Sequence, residues 1–178
     1  LNLATLMGGK VDKETQLASI KYDSIMVENQ EGSLLLGINV SSSNKKGALF
    51  KNIVINHNKV INFVSKDLGK KDDEFGEPVL LTEAGSYKNK EVSYFYGVPL
   101  SKRVGITDNN FSFRTINPSQ NYVIYFKGNY DAREKAITAL LQKAKKDSMR
   151  NGTLEEMFVN PPSEGEPSIL KLSLPVYR

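Results

Sequence analysis

The sequence predicts an α+β fold in which a small unit of strands and one helix occurs twice. Two segments, 47–68 and about 131–150, carry apolar residues at helical spacing. Eight further segments are rich in β-branched and aromatic residues, as strands are. Along the 178 residues the order is two strands, a helix and two strands, followed by the same series again. This order predicts one domain with a pseudo-two-fold axis and a helix covering each half.

The two predicted helices are marked by different signals. In the first, apolar steps of three and four residues end at Gly69, a natural C-terminal stop. Its stripe consists of Phe50, Val54, His57, Ile61, Val64 and Leu68. In the second, Asp131 and Glu134 resemble a capping box, and Gly152 ends the segment. Its expected buried face is Ala136, Ile137, Leu140, Leu141 and Ala144.

The predicted strands are bounded by Gly, Pro, Asn and Asp. They cover 24–28, 33–40, 78–82, 91–98, 111–116, 122–127, 154–159 and 169–176. Each half ends in a strand with a late proline, and setting Pro99 on Pro175 places Leu80 opposite Glu156. Both residues lie in the first strand after their helix. The second half therefore carries a carboxylate where the first half carries a leucine.

The composition excludes several kinds of chemistry. The chain has no Cys, so it has no disulfide, thiolate metal site, iron–sulfur cluster or cysteine nucleophile. Its single histidine, His57, does not provide the three or four ligands of a common His-based zinc site. No Walker A, G-x-G-x-x-G, EF-hand or G-x-S-x-G motif is present. We expect no metal and no cofactor, and we expect His57 to be a core or boundary residue.

The charge pattern does not favour a nucleic-acid or membrane protein. The net charge is only +4, and the basic residues are scattered. The densest cluster lies near the end of the second predicted helix, where it suits the helix dipole and solvent: Lys143, Lys145, Lys146 and Arg150. No helix-turn-helix pattern is present, and no apolar run approaches the roughly 20 residues of a membrane-spanning helix. We expect a cytoplasmic protein that makes no direct contact with nucleic acid.

The strand predicted at 154–159 carries the candidate site. Side chains alternate along a strand, so Glu155 and Glu156 point to opposite faces, and one of them lies among apolar neighbours. Two interpretations stay open at this point. The glutamate is an ordinary surface residue if its face is open to water. If that face closes a cavity, the carboxylate is costly unless paired, and it invites a cationic or hydrogen-bonding ligand.

Aromatic residues are concentrated in the strands expected around such a cavity. Tyr94 and Tyr96 share one strand face, and Phe113 and Tyr125 lie in the two strands that precede the second helix. Core packing explains most aromatic residues, but a buried tyrosine needs a partner for its hydroxyl, which suits a pocket wall with a polar edge. An aromatic wall beside a carboxylate favours an apolar cation.

Three segments of the second half resemble GyrI-like domains, the effector-binding domains of bacterial transcription activators. Segment 121–130 (NYVIYFKGNY) is similar to the family's strand–Gly-x-Tyr–helix entry. Segment 154–162 (LEEMFVNPP) is similar to its aromatic-rich Y-E-x-Y-x-N-x-P strand, and segment 172–176 (LSLPV) to its last strand. The matched positions are Glu156 as the shared glutamate, Phe158 in an aromatic slot, Asn160 and Pro162. Glu155 and Pro161 depart from the pattern.

The resemblance implies a domain over 22–178, with repeat halves at about 22–104 and 105–178. It implies a duplicated β-α-β-β unit, antiparallel sheets, two covering helices and a central ligand groove. In the family the shared glutamate commonly meets hydrophobic, often cationic, small molecules. Residues 1–21 resemble the closing helix of a START-like (polyketide-cyclase-type) domain, which precedes a GyrI-like domain in some bacterial proteins; a linker is the alternative for this segment.

The leading hypothesis is therefore non-enzymatic binding of a hydrophobic, cationic small molecule, with Glu156 as the charge anchor. The expected walls of its pocket are Phe158, Tyr96, Tyr94, Tyr125 and Phe113. Family members also act as hydrolases, so a first alternative makes the same glutamate a general base. A second alternative is a protein-interaction module of the gyrase-inhibitor kind.

Overall fold

The computed structural model describes residues 17–82 and 86–178. Most of the segment 1–21, expected to be a linker or the end of an upstream domain, lies outside the described residues. The two main helices are α1 (Ala48–Asn62) and α2 (Glu134–Lys146). The strands are β1 (Met26–Gln30), β2 (Ser33–Ser43), β3 (Val79–Thr82), β4 (Glu91–Leu100), β5 (Ser112–Ile116), β6 (Ser119–Gly128), β7 (Arg150–Asn151), β8 (Leu154–Phe158) and β9 (Ser168–Tyr177).

Within the described residues, nine strands form one antiparallel sheet. Its order is β1-β6-β9-β8-β3-β4-β2-β5, and β7 pairs with β9. The first strand of each half pairs with the second strand of the other half, as β1 on β6 and β5 on β2. The halves join where β3 pairs with β8. The α+β class and the pseudo-two-fold duplication are confirmed, and the eight predicted strands are present; the short β7 was not predicted.

The connections between strands require the sheet to curve. Only residues 31–32 separate β1 from β2, although these strands lie near opposite ends of the strand order. The two ends of the sheet therefore approach each other at one corner. A Cβ atom on Gly32 would lie 3.0 Å from the carbonyl oxygen of Ile116, which shows how closely the chain segments pass there.

Both helices pack on one face of the sheet, over its main hydrophobic core. One row of directly paired residues crosses this face from β6 to β2: Ile124, Leu172, Glu156, Leu80, Tyr96 and Ile38. Glu156 and Leu80, which correspond in the two repeats, are direct partners across the central β8–β3 pair. The pseudo-two-fold axis therefore passes between them. The opposite face carries a smaller cluster: Leu35, Val79, Leu81, Phe95 and Ile116.

The first helix ends as predicted. It continues as one π-helical turn (Phe63–Asp67), and Gly69 follows with a φ of 66°, in the left-handed region that favours glycine. No helix within residues 17–82 and 86–178 combines the length and the apolar character needed to cross a membrane.

The second helix begins differently from the prediction. Asn129, not Asp131, is the cap: its side chain accepts a hydrogen bond from the backbone N–H of Asp131 and starts a 3-10 turn, Tyr130–Arg133. The Asp131 carboxylate instead accepts from the backbone N–H of Gly47 at 2.9 Å, which ties the start of α1 to the start of α2. The expected Asp131–Glu134 capping box is therefore wrong. The helix also ends earlier than expected: Ser148 has a φ of 56°, in the left-handed region, and the backbone N–H of Met149 turns back to the carbonyl oxygen of Ala144 at 2.8 Å.

Candidate functional site

Glu156 lies at the centre of the sheet, and it is fully buried. Its position on β8 places it on the face that the helices cover, with 0% of the residue exposed. Arg133, at the end of the 3-10 turn before α2, reaches it from above, with its Nε 2.7 Å from Oε1. Arg133 is itself only 6% exposed. The open-surface interpretation of this glutamate is therefore wrong, and the buried carboxylate is paired with a cation of its own chain.

Tyr130 completes the contacts of this ion pair. Its hydroxyl donates a hydrogen bond to Oε1 of Glu156 at 2.8 Å, and the Arg133 guanidinium carbon lies 3.8 Å from the centre of its ring. Burial is the main cause that raises the pKa of Tyr130 well above its usual value, so the hydroxyl keeps its proton and donates it. Burial lowers the pKa of Arg133, but the charge of Glu156 acts in the opposite sense and the net shift is upward. The guanidinium stays positively charged.

The second carboxylate oxygen of Glu156 has different surroundings. Among the side chains that the structure describes, Oε2 of Glu156 is the one buried oxygen or nitrogen atom without a hydrogen-bond partner. A buried acceptor without a donor costs about 1–3 kcal/mol, and more when the group is charged. The carboxylate is thus only half satisfied by its own chain.

A cavity of about 590 Å³, which we call the axial groove, opens where the two helical segments begin. It is lined by Asn44, Lys46, Asn129, Asp131, Ala132, Arg133 and Glu134. Its location follows from the hydrogen bond between Asp131 and Gly47, which holds the corresponding ends of the two halves together. Arg133 belongs both to the lining of the groove and to the buried ion pair beneath it.

Aromatic rings surround the ion pair on the sheet side. Phe158 stacks on Tyr130 with ring centres 6.0 Å apart, and Tyr96 lies 5.8 Å from Phe158 at an angle of 60°. Side chains of α1 hold the tyrosines: His57 Nδ1 lies 2.8 Å from the Tyr96 hydroxyl, and Tyr94 is hydrogen-bonded to Asn52 and Asn56. The sheet side of the ion pair is therefore packed with aromatic rings, and the hydroxyl groups of Tyr94 and Tyr96 are hydrogen-bonded to α1.

The structure brings together only some of the predicted site residues. Phe158 follows Glu156 on the same face of β8 and stacks on Tyr130. Tyr96 lies two strands from Glu156 in the same row, with Leu80 between them, and Tyr94 lies one row further along this face. Tyr125 pairs with Lys171, in the row of Met157 and Val79, and therefore faces the opposite side of the sheet. Phe113 lies on β5, four strands from β8, where Arg103 packs on its ring at 4.5 Å. Tyr125 and Phe113 are therefore not part of the surroundings of Glu156.

Two residues of the site, Tyr130 and Arg133, were not among the predicted ones. Tyr130 is the tyrosine of the Gly-x-Tyr segment, so a signal for it was present in the sequence. Arg133 carried no such signal, because nothing in the spacing of 133 and 156 indicates that the two side chains meet. The physical requirement that a buried carboxylate be paired was the only general indication that a cation of the chain would be found there.

The remaining candidate groups have structural roles. His57 is half-buried and hydrogen-bonded to Tyr96, as expected of a boundary histidine, and burial lowers its pKa from 6.5. Glu155 faces the other side of the sheet, where Gln30 donates to it at 2.8 Å and burial raises its pKa. Lys143, in the basic cluster, pairs with Asp147 at 3.0 Å near the surface. Over residues 17–82 and 86–178, no cluster of three acidic or His residues could hold a metal ion.

Comparison with solved structures identifies the fold. No protein-family model and no curated protein matches the chain. The EcmrR C-terminal domain is similar with a TM-score of 0.65 and 13% identity, over 87% of this chain and 98% of that one. SAV2435 bound to tetraphenylphosphonium gives a TM-score of 0.54 and 16% identity, over 86% of this chain and 94% of that one. A hydrolase encoded by lin2189 from Listeria innocua gives a TM-score of 0.59 and 9% identity, over 93% of this chain and 98% of that one.

These likenesses establish the architecture and nothing finer, because all three identities are low. They confirm the α+β, GyrI-like fold that the sequence motifs indicated. One structure of this fold is a putative bacterial transcription regulation protein from Staphylococcus aureus, and another, SAV2435, is bound to the cation tetraphenylphosphonium.

Proposed function

We propose that this protein binds a hydrophobic, cationic small molecule in the axial groove, with Glu156 as the charge anchor. The observation that carries the proposal is the fully buried carboxylate of Glu156 beneath the groove. One of its oxygens is held by Arg133 and Tyr130, and the other has no hydrogen-bond partner among the described side chains. A carboxylate in this state attracts positive charge.

The duplication argues that this charge is not required by the fold. Leu80 occupies the corresponding place in the first half and packs in the same core row. An apolar residue therefore fits at the centre of this sheet, and a buried ion pair contributes little or nothing to stability compared with well-packed apolar residues. A carboxylate at Glu156 is better explained by binding than by folding.

The rings around Glu156 supply the second part of the recognition. Tyr130 and Phe158 are stacked and buried beneath the groove, and the negative electrostatic face of such rings attracts cations, as the guanidinium of Arg133 over the Tyr130 ring illustrates. Apolar burial, ring faces and one carboxylate together suit a cation with an apolar body. The fold neighbour SAV2435 carries tetraphenylphosphonium, which belongs to this chemical class.

Hydrolysis is the second candidate, because one structural neighbour is a hydrolase. In this candidate function Glu156 acts as a general base. Arg133 and Tyr130 both donate to Oε1, so only Oε2 is placed to accept a proton. The two donors on Oε1 hold the carboxylate in place as an acceptor, and Arg133 shows that this position takes a cation. The contacts of Glu156 therefore favour binding over catalysis.

The proposal is tested by calorimetric titration with tetraphenylphosphonium and with tetraphenylborate, which has the same shape and the opposite charge. We expect the phosphonium to bind and the borate to bind far more weakly. Glu156→Gln should weaken phosphonium binding about ten- to hundred-fold, the effect of losing an interaction with a charged group. Glu155→Gln is the matched control, because it makes the same change on the other sheet face and should leave the affinity unchanged.

Two results would contradict the assignment. Equal phosphonium affinities of the original protein and Glu156→Gln would remove the role of this carboxylate. Equal affinities for the phosphonium and the borate would remove the preference for cations. Hydrolysis of an activated ester that is lost in Glu156→Gln and kept in Glu155→Gln would favour the hydrolase candidate instead.

A further inference from the structure

We infer that Arg133 is an internal occupant of the cation position, which a ligand must displace, and that it thereby determines which ligands bind. This inference rests on the proposed binding of a cation at Glu156. It assigns to Arg133 a role in specificity that is distinct from the anchoring role of the glutamate.

The contacts of Arg133 are those that a cationic ligand would use. Its Nε lies 2.7 Å from Oε1 of Glu156, and its guanidinium lies 3.8 Å from the centre of the Tyr130 ring. A carboxylate and an aromatic face are thus both engaged by the chain's own cation. A ligand cation that takes up these contacts has to replace the guanidinium.

Arg133 lies between the axial groove and the carboxylate of Glu156. Arg133 lines the axial groove, whereas Glu156 does not line it and is 0% exposed. The carboxylate is therefore reached from the groove only after the arginine side chain has moved aside. A molecule that cannot compensate the carboxylate leaves it buried without a cation, which is strongly unfavourable.

The groove itself offers the displaced guanidinium another position. Asp131 and Glu134 line the groove next to Arg133, so a rotation of the arginine side chain can bring its charge to either carboxylate near solvent. Exchange of one cation for another then conserves the charge balance at Glu156. The exchange selects cations over neutral molecules of the same shape, and it lowers the affinity for every ligand by the cost of moving Arg133.

Tetraphenylphosphonium affinity of Arg133→Gln tests this inference. Because the competing cation is absent, we expect this variant to bind the phosphonium about ten-fold or more tightly than the original protein. Arg114→Gln is the control, since Arg114 is an exposed arginine that packs over Phe95, on the other face of the sheet, and its loss should change nothing. If the original protein binds and Arg133→Gln binds no tighter, the inference is wrong and the proposed function stands. If neither binds, the proposed function fails as well.

A second measurement uses the unaltered chain and does not depend on the folding of a variant. Phenylglyoxal modifies accessible arginines, and peptide mass spectrometry reports each site. We expect Arg133 to be protected in the protein alone and to become modified when the phosphonium saturates it. The exposed Arg103 and Arg114 are internal references that should react equally in both states. Continued protection of Arg133 at saturation would overturn the displacement.

Discussion

Replacing Arg133 by methionine leaves the Glu156 carboxylate in the core without its cation. Water does not reach this carboxylate, which is 0% exposed, and only the hydrogen bond from Tyr130 remains. Removal of one partner of a buried ion pair costs about 3–5 kcal/mol. We expect Arg133→Met to lower the free energy of unfolding at pH 7 by this amount, a large share of the stability of a single domain.

The complementary single variant, Glu156→Leu, should lower the free energy of unfolding less than Arg133→Met does. Glu156→Leu introduces the residue that the first half carries at Leu80, and it leaves Arg133 at the floor of the groove. The long arginine side chain can carry its charge to Asp131 or Glu134, which line the same groove. We expect a loss of about 1.5–3 kcal/mol, the effect of breaking a hydrogen bond between charged groups.

The double variant Arg133→Met/Glu156→Leu is the decisive member of this cycle. A buried ion pair replaced by apolar residues of similar volume is often neutral or stabilising, so the double variant should regain most of what Arg133→Met loses. Urea unfolding followed by far-ultraviolet circular dichroism measures all four proteins, because the chain has no Trp. A double variant as unstable as the sum of the two single variants would refute the reasoning, since it would show that the two charges do not interact.

Two further predictions concern groups around the site. Tyr130→Phe should lower the free energy of unfolding by about 1.5–3 kcal/mol, because the Tyr130 hydroxyl donates to the carboxylate of Glu156. Tyr94→Phe should lower it by only about 0.5–1.5 kcal/mol, because the partners of the Tyr94 hydroxyl are neutral amides. Equal losses of the two variants in urea unfolding would contradict this difference. His57, the single histidine, should have a pKa below 6.5 by NMR, because burial disfavours its charged ring. The unfolded chain then binds the proton more readily than the folded protein, so the free energy of unfolding falls as the pH drops below 6.5. A pKa of 6.5 or higher would contradict the burial of this ring.

Local patterns in the sequence were sufficient for most of the fold. Apolar spacing located α1 and its stop at Gly69, because a helix that packs on a sheet must repeat its apolar face every three or four residues. The alignment of the repeats matched Leu80 with Glu156, and the structure makes these residues direct cross-strand partners. Both inferences depend on residues close in sequence or on a repeated unit.

Features that depend on contacts between distant segments were not predictable in this way. The ion pair joins Arg133 to a strand that begins 21 residues later, and no periodicity relates the two positions. The role of Asp131 was misassigned for the same reason, because its actual partner, Gly47, belongs to the other half. Side chains alternate along β6, so Tyr125 and its neighbour Ile124 must point to opposite faces of the sheet. Only the pairing of β6 with β9 shows that Tyr125 points to the face opposite Glu156.

The broken symmetry of the duplication gives the strongest argument that the groove is a binding site. Leu80 and Glu156 correspond in the two halves and are direct partners across the β8–β3 pair. Both charges of the ion pair come from the second half, whereas the first half places the apolar side chain of Leu80 beside the carboxylate. The two halves also line the groove unequally: Asn44 and Lys46 come from the first half, and the other five lining residues come from the second. The duplicated fold does not explain an ion pair that lies beneath the groove in one half only, and this asymmetry supports the proposal that the cationic part of a ligand is recognised at Glu156.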